Sequence, residues 1–154
     1  MLDIGQPIPD LTLPDQSGQT HPLPQLLGSQ GAIFYFYPKD NTPGCTVEAN
    51  DFQAYLSDFA ALGYRVIGLS KDSVASHEKF CQKQNLTFTL LSDADGAACL
   101  AFGVWQEKKN YGKVSMGIVR STFVVDAQGI VRRVYRAVRV NGHAQQLLAD
   151  LQAR

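Results

Sequence analysis

Ala32-Ile33-Phe34-Tyr35-Phe36-Tyr37-Pro38-Lys39-Asp40-Asn41-Thr42-Pro43-Gly44-Cys45-Thr46 is the stretch around which the rest of the chain can be read. Its first six residues form a continuous apolar and aromatic run ended by Pro38, the pattern of a strand buried on both faces. Further on, Phe52, Tyr55, Leu56, Phe59 and Leu62 recur at helical spacing, and Gly63 supplies a stop. Residues 38–44 are therefore a strand-to-helix loop. Pro43 suits the helix's first turn, where its missing N–H would have no partner anyway. Cys45 falls in that turn, where unsatisfied N–H groups and the helix dipole favour an anion. The thiolate is the nucleophilic form of cysteine. Gly44 leaves the approach free of a side chain, and Thr42 can point a hydroxyl at whatever sits beside the sulfur. The other reading of Cys45 is a small buried hydrophobe; its setting, with Pro, Thr and Gly adjacent, weighs against that.

Working outward, the first thirty residues are rich in Pro and Gly, with a short apolar alternation from Leu11 to Leu13, and read as turns and an edge ribbon. Residues 64–69 form a second strand. Asp72 or Ser73 can cap a helix through about Gln84, and residues 86–91 form a third strand. A short helix is expected over 97–102. Residues 122–125 and 130–134, separated by Asp126-Ala127-Gln128-Gly129, read as an antiparallel hairpin. A helix over 143–151 closes the chain. This order predicts an α/β fold with a central mixed sheet flanked by helices. No repeat or linker divides residues 1–154, so one domain is expected. In such sheets, sites gather where loops leave the carboxyl ends of the parallel strands, which is where residues 38–44 lie.

Fourteen basic and fourteen acidic residues balance, which removes the usual electrostatic case for nucleic-acid or anionic-membrane binding. Arg132, Arg133, Arg136 and Arg139 are a local exception, read as a solvated face. No stretch approaches the ~20 apolar residues of a membrane helix. The N-terminus has acidic residues and prolines where a signal peptide needs a basic start and an apolar run. A cytosolic location is expected. Three cysteines do not make a secreted disulfide framework, and any disulfide in a reducing compartment would be transient and catalytic.

Pro38-x-x-x-Thr42-x-x-Cys45 resembles the active-site signature of the peroxiredoxins, and residues 34–46 are similar to their bacterioferritin-comigratory, or peroxiredoxin Q, branch. Gly5-Gln-x-Ile-Pro-Asp10 resembles that branch's opening. Asn110-Tyr-Gly-Lys-x-x-Met-Gly-Ile-x-Arg-Ser-Thr-Phe123 resembles its second active-site segment, and Gly142-His143 the start of its C-terminal helix. The resemblance implies a thioredoxin-like fold and reduction of hydrogen peroxide and organic hydroperoxides by Cys45. It assigns Thr42 to hydrogen-bond the peroxide and the sulfur, Pro38 to shield the pocket from water, and Arg120 to stand beside the cysteine. A fixed guanidinium can stabilise the thiolate and the negative charge on the departing oxygen. Glu48, one turn after Cys45, could hold that arginine or could simply suit the helix dipole.

Attack on the O–O bond leaves Cys45 as a sulfenic acid, which condenses with a second thiol or oxidises further. Much of the branch carries the resolving cysteine five residues later, where this chain has Asn50. A second arrangement in the branch places it on the following helix, which implies Cys81 here; packing of Val74, His77 and Cys81 on the sheet is the alternative. Cys99 reads as core. A disulfide needs Cα atoms within ~7 Å, so closure is expected to require local unwinding at one of the two helices. His77 and Cys81 could also be two metal ligands, but no further ligand completes a zinc set. A thiol–disulfide oxidoreductase would want cysteine at position 48, and a non-catalytic module would not keep Pro38, Thr42, Cys45 and Arg120 together. The resemblance implies no cofactor or metal, thioredoxin or glutaredoxin as reductant, and a monomer. It leaves the preferred peroxide open.

Overall fold

The computed structural model describes residues 1–153. Two short strands, β1 (Thr12–Pro14) and β2 (Thr20–Pro22), pair antiparallel and lead through a 3-10 turn (Leu23–Leu26) into β3 (Gly31–Phe36). Then follow α1 (Pro43–Ala54), α2 (Leu56–Ala61), β4 (Tyr64–Ser70), α3 (Val74–Gln84), β5 (Thr89–Ser92) and α4 (Ala97–Phe102). The chain ends with β6 (Trp105–Asn110), β7 (Lys113–Ile118), β8 (Ser121–Asp126), β9 (Val131–Tyr135) and α5 (His143–Gln152).

β3 is the middle strand of a five-stranded sheet ordered β5-β4-β3-β8-β9. β3, β4 and β5 run parallel, joined by helical crossovers, while β8 returns antiparallel beside β3 and β9 beside β8. This is the α/β fold with a central mixed sheet that the element order predicts, and it fits the thioredoxin-like fold that the resemblance implies. All six residues of β3 are buried, as expected of a strand covered on both faces. Alternate side chains leave a strand on opposite faces, and β3 divides the core accordingly. Ile33 and Tyr35 pack with Tyr37 under α1, α2, α3 and α5. Ala32, Phe34 and Phe36 face α4, the N-terminal ribbon and the 3-10 turn.

Three features depart from the predicted elements. The single helix expected up to Leu62 is interrupted at Tyr55, whose ψ of 8° leaves the helical range, although the apolar spacing continues across the break. β5 begins only at Thr89, and at its start the Gln16 side chain accepts from the Leu90 N–H at 3.0 Å and donates to the Phe88 carbonyl at 3.1 Å. The third is the β6–β7 hairpin, turned by Tyr111 and Gly112, both at positive φ. Gly112 is the visible turn signal, and β7 alternates Val114, Met116 and Ile118 with Lys113, Ser115 and Gly117, but residues 106–109 of β6 are a polar run with no such pattern. Among the described residues, no helix is long and apolar enough to cross a membrane.

Candidate active site

The loop after β3 and the residues just before β8 meet by register: Phe36 pairs with Ser121, so Arg120 arrives beside the segment that leaves the carboxyl end of β3. Cys45 lies in the first turn of α1, which has Pro43 as its first residue and Thr42 as its cap. The sulfur is almost completely buried, at 1% exposure of the residue, and Arg120 Nη2 donates to it at 3.3 Å. Arg120 is fixed from the other side by a 2.6 Å ion pair from Nη1 to Glu48 Oε1. Burial works against the guanidinium's charge, but Glu48 and Cys45 more than offset it and hold its pKa above the usual value. For Glu48, burial dominates over the attraction of Arg120 and lifts the carboxyl from 4.5 to about 7. A side chain on residue 44 would sit 3.3 Å from Arg120 Nη2, so Gly44 leaves room for the guanidinium as well as for a substrate.

Thr42 is half-buried, and its hydroxyl donates to the Lys39 carbonyl at 2.8 Å. That leaves the hydroxyl oxygen as an acceptor. Pro38 is exposed at the start of the loop. Lys108 on β6 brings a second cation near the same place: burial and the Arg120 charge lower its pKa, and charge on Cys45 raises it. Thr122, two residues after Arg120, is within 2.9 Å of His143 Nε2. Burial, and then the Arg120 charge, push His143 down to about 4, so it is neutral at ordinary pH.

Beneath the loop is a buried polar network that sequence spacing did not reveal. Asp40 is 5% exposed; its carboxylate accepts from the Tyr37 hydroxyl at 2.6 Å and the Ser76 hydroxyl at 2.8 Å, and lies 2.7 Å from His77 Nδ1. His77 Nε2 faces the Leu91 carbonyl at 3.0 Å. The Asp40 N–H donates to Asp72, which also accepts from Ser70. The fold thus brings two carboxylates to His77, their ligand-capable atoms within 4.8 Å of one another, and Cys81 is not part of that group. The sequence signal was present only as an unremarkable Asp in the loop and a His on the buried face of α3.

Cys81 lies on α3, one turn after His77, 8% exposed at the edge of a cleft of about 580 Å³ lined also by Gln16, Glu78 and Leu86. Burial, with the Asp40 charge, pushes its thiol up to about 11. Cys45 and Cys81 share the core under α1 and α3, whereas Cys99 is buried in the core on the opposite face of the sheet. All three thiols are free.

Residues 4–134 match the model of the AhpC/TSA family. The peroxiredoxin Bcp of Bacillus subtilis is 45% identical over 150 residues, spanning 97% of this chain and 95% of its own. A solved structure of the Xanthomonas campestris bacterioferritin comigratory protein, concerned with that protein's alkyl peroxide reduction and its trapped intermediate and ligand complexes, superposes with a TM-score of 0.89. It is 44% identical and covers 99% of this chain and 97% of that one. Two further structures of the Xanthomonas campestris peroxiredoxin Q, each with a TM-score of 0.90 and 44% identity over 99% of this chain, cover 97% and 96% of their own. Each carries serine at one of two cysteine positions, and those positions are spaced as Cys45 and Cys81 are.

Proposed function

The chain belongs to the AhpC/TSA family, in its bacterioferritin-comigratory or peroxiredoxin Q branch, and from this peroxidase identity we propose that Cys45 is the attacking thiol, acting on hydrogen peroxide and organic hydroperoxides. The observation that carries the assignment is the buried Cys45 sulfur in a first helical turn, 3.3 Å from an arginine that Glu48 holds in place.

Cys45 attacks the terminal peroxide oxygen, the O–O bond breaks, and the sulfur becomes a sulfenic acid while the departing oxygen leaves as alcohol or water. Arg120 stabilises the thiolate and the charge that develops on the departing oxygen. Thr42, with its own proton spent on Lys39, offers its oxygen to the peroxide O–H. Pro38 closes the outer side of the pocket. Cys81 then condenses with the sulfenic acid as an intramolecular disulfide, which thioredoxin reduces. The matching cysteine spacing in the Xanthomonas campestris variants supports Cys81, and alkyl peroxide reduction by that relative supports an organic hydroperoxide as substrate.

Peroxide-dependent oxidation of thioredoxin is the assay. Cys45→Ser is expected to abolish turnover and Cys81→Ser to consume one equivalent of peroxide and then stall. Full turnover by Cys45→Ser would remove the assignment.

A further inference from the structure

Four buried side chains from four elements close a ring on the helix-covered side of the sheet. Tyr35 of β3 and Thr122 of β8 are paired directly across the sheet. The Tyr35 ring stacks on Phe52 of α1 at 4.5 Å between centroids, and Phe52 meets the ring of His143, the first residue of α5, edge-on at 6.1 Å and 85°. His143 Nε2 closes the circuit on the Thr122 hydroxyl at 2.9 Å.

The ring touches the site from both sides. Phe52 belongs to the buried face of α1 that also carries Cys45 and Glu48. Thr122 lies two residues beyond Arg120, whose guanidinium must reach that same face to bond the sulfur and the carboxylate. The segment leading into α5 holds the arginine a second time, because the Val138 N–H donates to the Arg120 carbonyl at 2.9 Å. Ala137, just before it, stands at φ 50°, a left-handed conformation disfavoured for a residue with a Cβ. Such strain persists only where the surrounding structure imposes it. Both ends of the segment 138–143 therefore hold the entry to β8 on which Arg120 is mounted.

Packing alone calls for no polar atom at positions 122 and 143. A hydrogen bond between buried neutral groups returns little more than the water bonds it replaces. What it adds is direction, since it fixes a distance and an angle whereas apolar contact is non-directional. We infer that His143 is a positioning residue for attack on the peroxide: bonded to Thr122 and braced against Phe52, it sets where the Arg120 guanidinium meets the Cys45 sulfur. This role rests on the reading of Cys45 as the attacking thiol and Arg120 as its stabilising cation.

The bond can be removed from either end. Thr122→Val keeps the branched shape and loses the hydroxyl; His143→Phe keeps an aromatic ring beside Phe52 and loses Nε2. Each is expected to lower kcat/KM for hydrogen peroxide about 10–10²-fold, the scale of a misplacement of about 1 Å, and the pair together no more than either alone. The deciding measurement is coupling to the arginine. In protein already carrying Arg120→Met and Glu48→Gln, no guanidinium is left to place and no carboxylate is stranded, so adding Thr122→Val or His143→Phe should lower kcat/KM no further. A general packing defect predicts instead that the losses multiply. Rates are taken on protein shown by circular dichroism to be folded, and Thr122→Val carries the test if His143→Phe does not fold. Wild-type kcat/KM in the folded single variants, or losses that multiply in the Arg120→Met, Glu48→Gln protein, overturn the positioning role and leave Cys45 as the nucleophile. Full turnover by Cys45→Ser, or by Arg120→Met, overturns the underlying reading and the positioning role with it.

Discussion

Arg120 bonds two groups at once, the Cys45 sulfur through Nη2 and Glu48 through Nη1, and its loss should therefore register twice. Arg120→Met is expected to lower kcat/KM for peroxide by about 10²–10³-fold, the scale seen when one charge-stabilising donor is removed. It should also cost about 3 kcal/mol of stability, because it strands a 1% exposed carboxyl. Adding Glu48→Gln should return most of the stability and none of the activity; denaturant midpoints and initial rates separate the two effects. Glu48 also sets a slope with pH. Its native value of about 7 lies above 4.5, so the native state holds a proton that the unfolded chain has released, and stability falls as pH rises between those values. In Glu48→Gln that slope should vanish. Thr42 and Cys45 were legible in the sequence because each occupies a recognisable place around a strand–loop–helix junction, whereas Arg120, 75 residues from Cys45, was reached only through the family resemblance.

Between elements, the Asp40–His77 pair ties the loop that precedes α1 to the middle of α3. A carbonyl oxygen only accepts, so the His77 nitrogen facing Leu91 must carry hydrogen, and the other nitrogen lies 2.7 Å from the Asp40 carboxylate. Burial alone would raise the Asp40 pKa, but His77, Tyr37 and Ser76 hold it below 3.8. A depressed native value means that the pair contributes stability above 3.8 and loses it as pH falls through the native value. Asp40→Asn, which removes the buried carboxylate that Tyr37, Ser76 and His77 all bond, should cost about 3 kcal/mol at neutral pH. It should also flatten the acid limb of the stability curve, as urea midpoints between about pH 5 and 2 would reveal. Because the Lys39 carbonyl next to Asp40 orients the Thr42 hydroxyl, the same variant should raise KM for peroxide. Strand and helix positions follow closely from periodicity, as β3, β4 and α3 show. The polar tie does not, because its members are 37 residues apart and meet only once α3 is laid against the sheet. The β6–β7 hairpin was missed for a different reason: β7 alternates Val114, Met116 and Ile118 with smaller or polar residues, but β6 is polar from Gln106 onward and offers no matching strand pattern.

At the scale of the molecule, the sheet decides which thiols can react with each other. β3 sends Tyr35 to one face and Phe34 to the other, and the cysteines sort with them: Cys45 and Cys81 under α1 and α3, Cys99 beyond the sheet. The five-stranded sheet lies between Cys99 and Cys45, so Cys99→Ala should leave turnover and recycling unchanged. The same layering confines the opening that the proposed Cys45–Cys81 closure would need. Cys45 and Cys81 belong to different helices and are unbonded here. On one side, the start of α1 is held by the buried Arg120–Glu48 pair, and the middle of α3 by the buried Asp40–His77 pair. The end of α3 is held by exposed amide bonds, Asn50 to Gln84 at 3.2 Å and Gln53 to Thr87 at 2.8 and 2.9 Å. Exposed hydrogen bonds exchange readily for water, whereas breaking a buried ion pair strands a charge. The segment from Cys81 to Thr87 should therefore be the first to unwind, with His77 as the fixed point. Amide hydrogen exchange on the reduced and disulfide forms tests this: protection should fall across residues 81–87, while residues 74–77 and the strands β3 and β8 stay protected. If exchange instead rises only across residues 43–48, the first turn of α1 is the mobile partner and the Asp40–His77 tie is not what directs the opening.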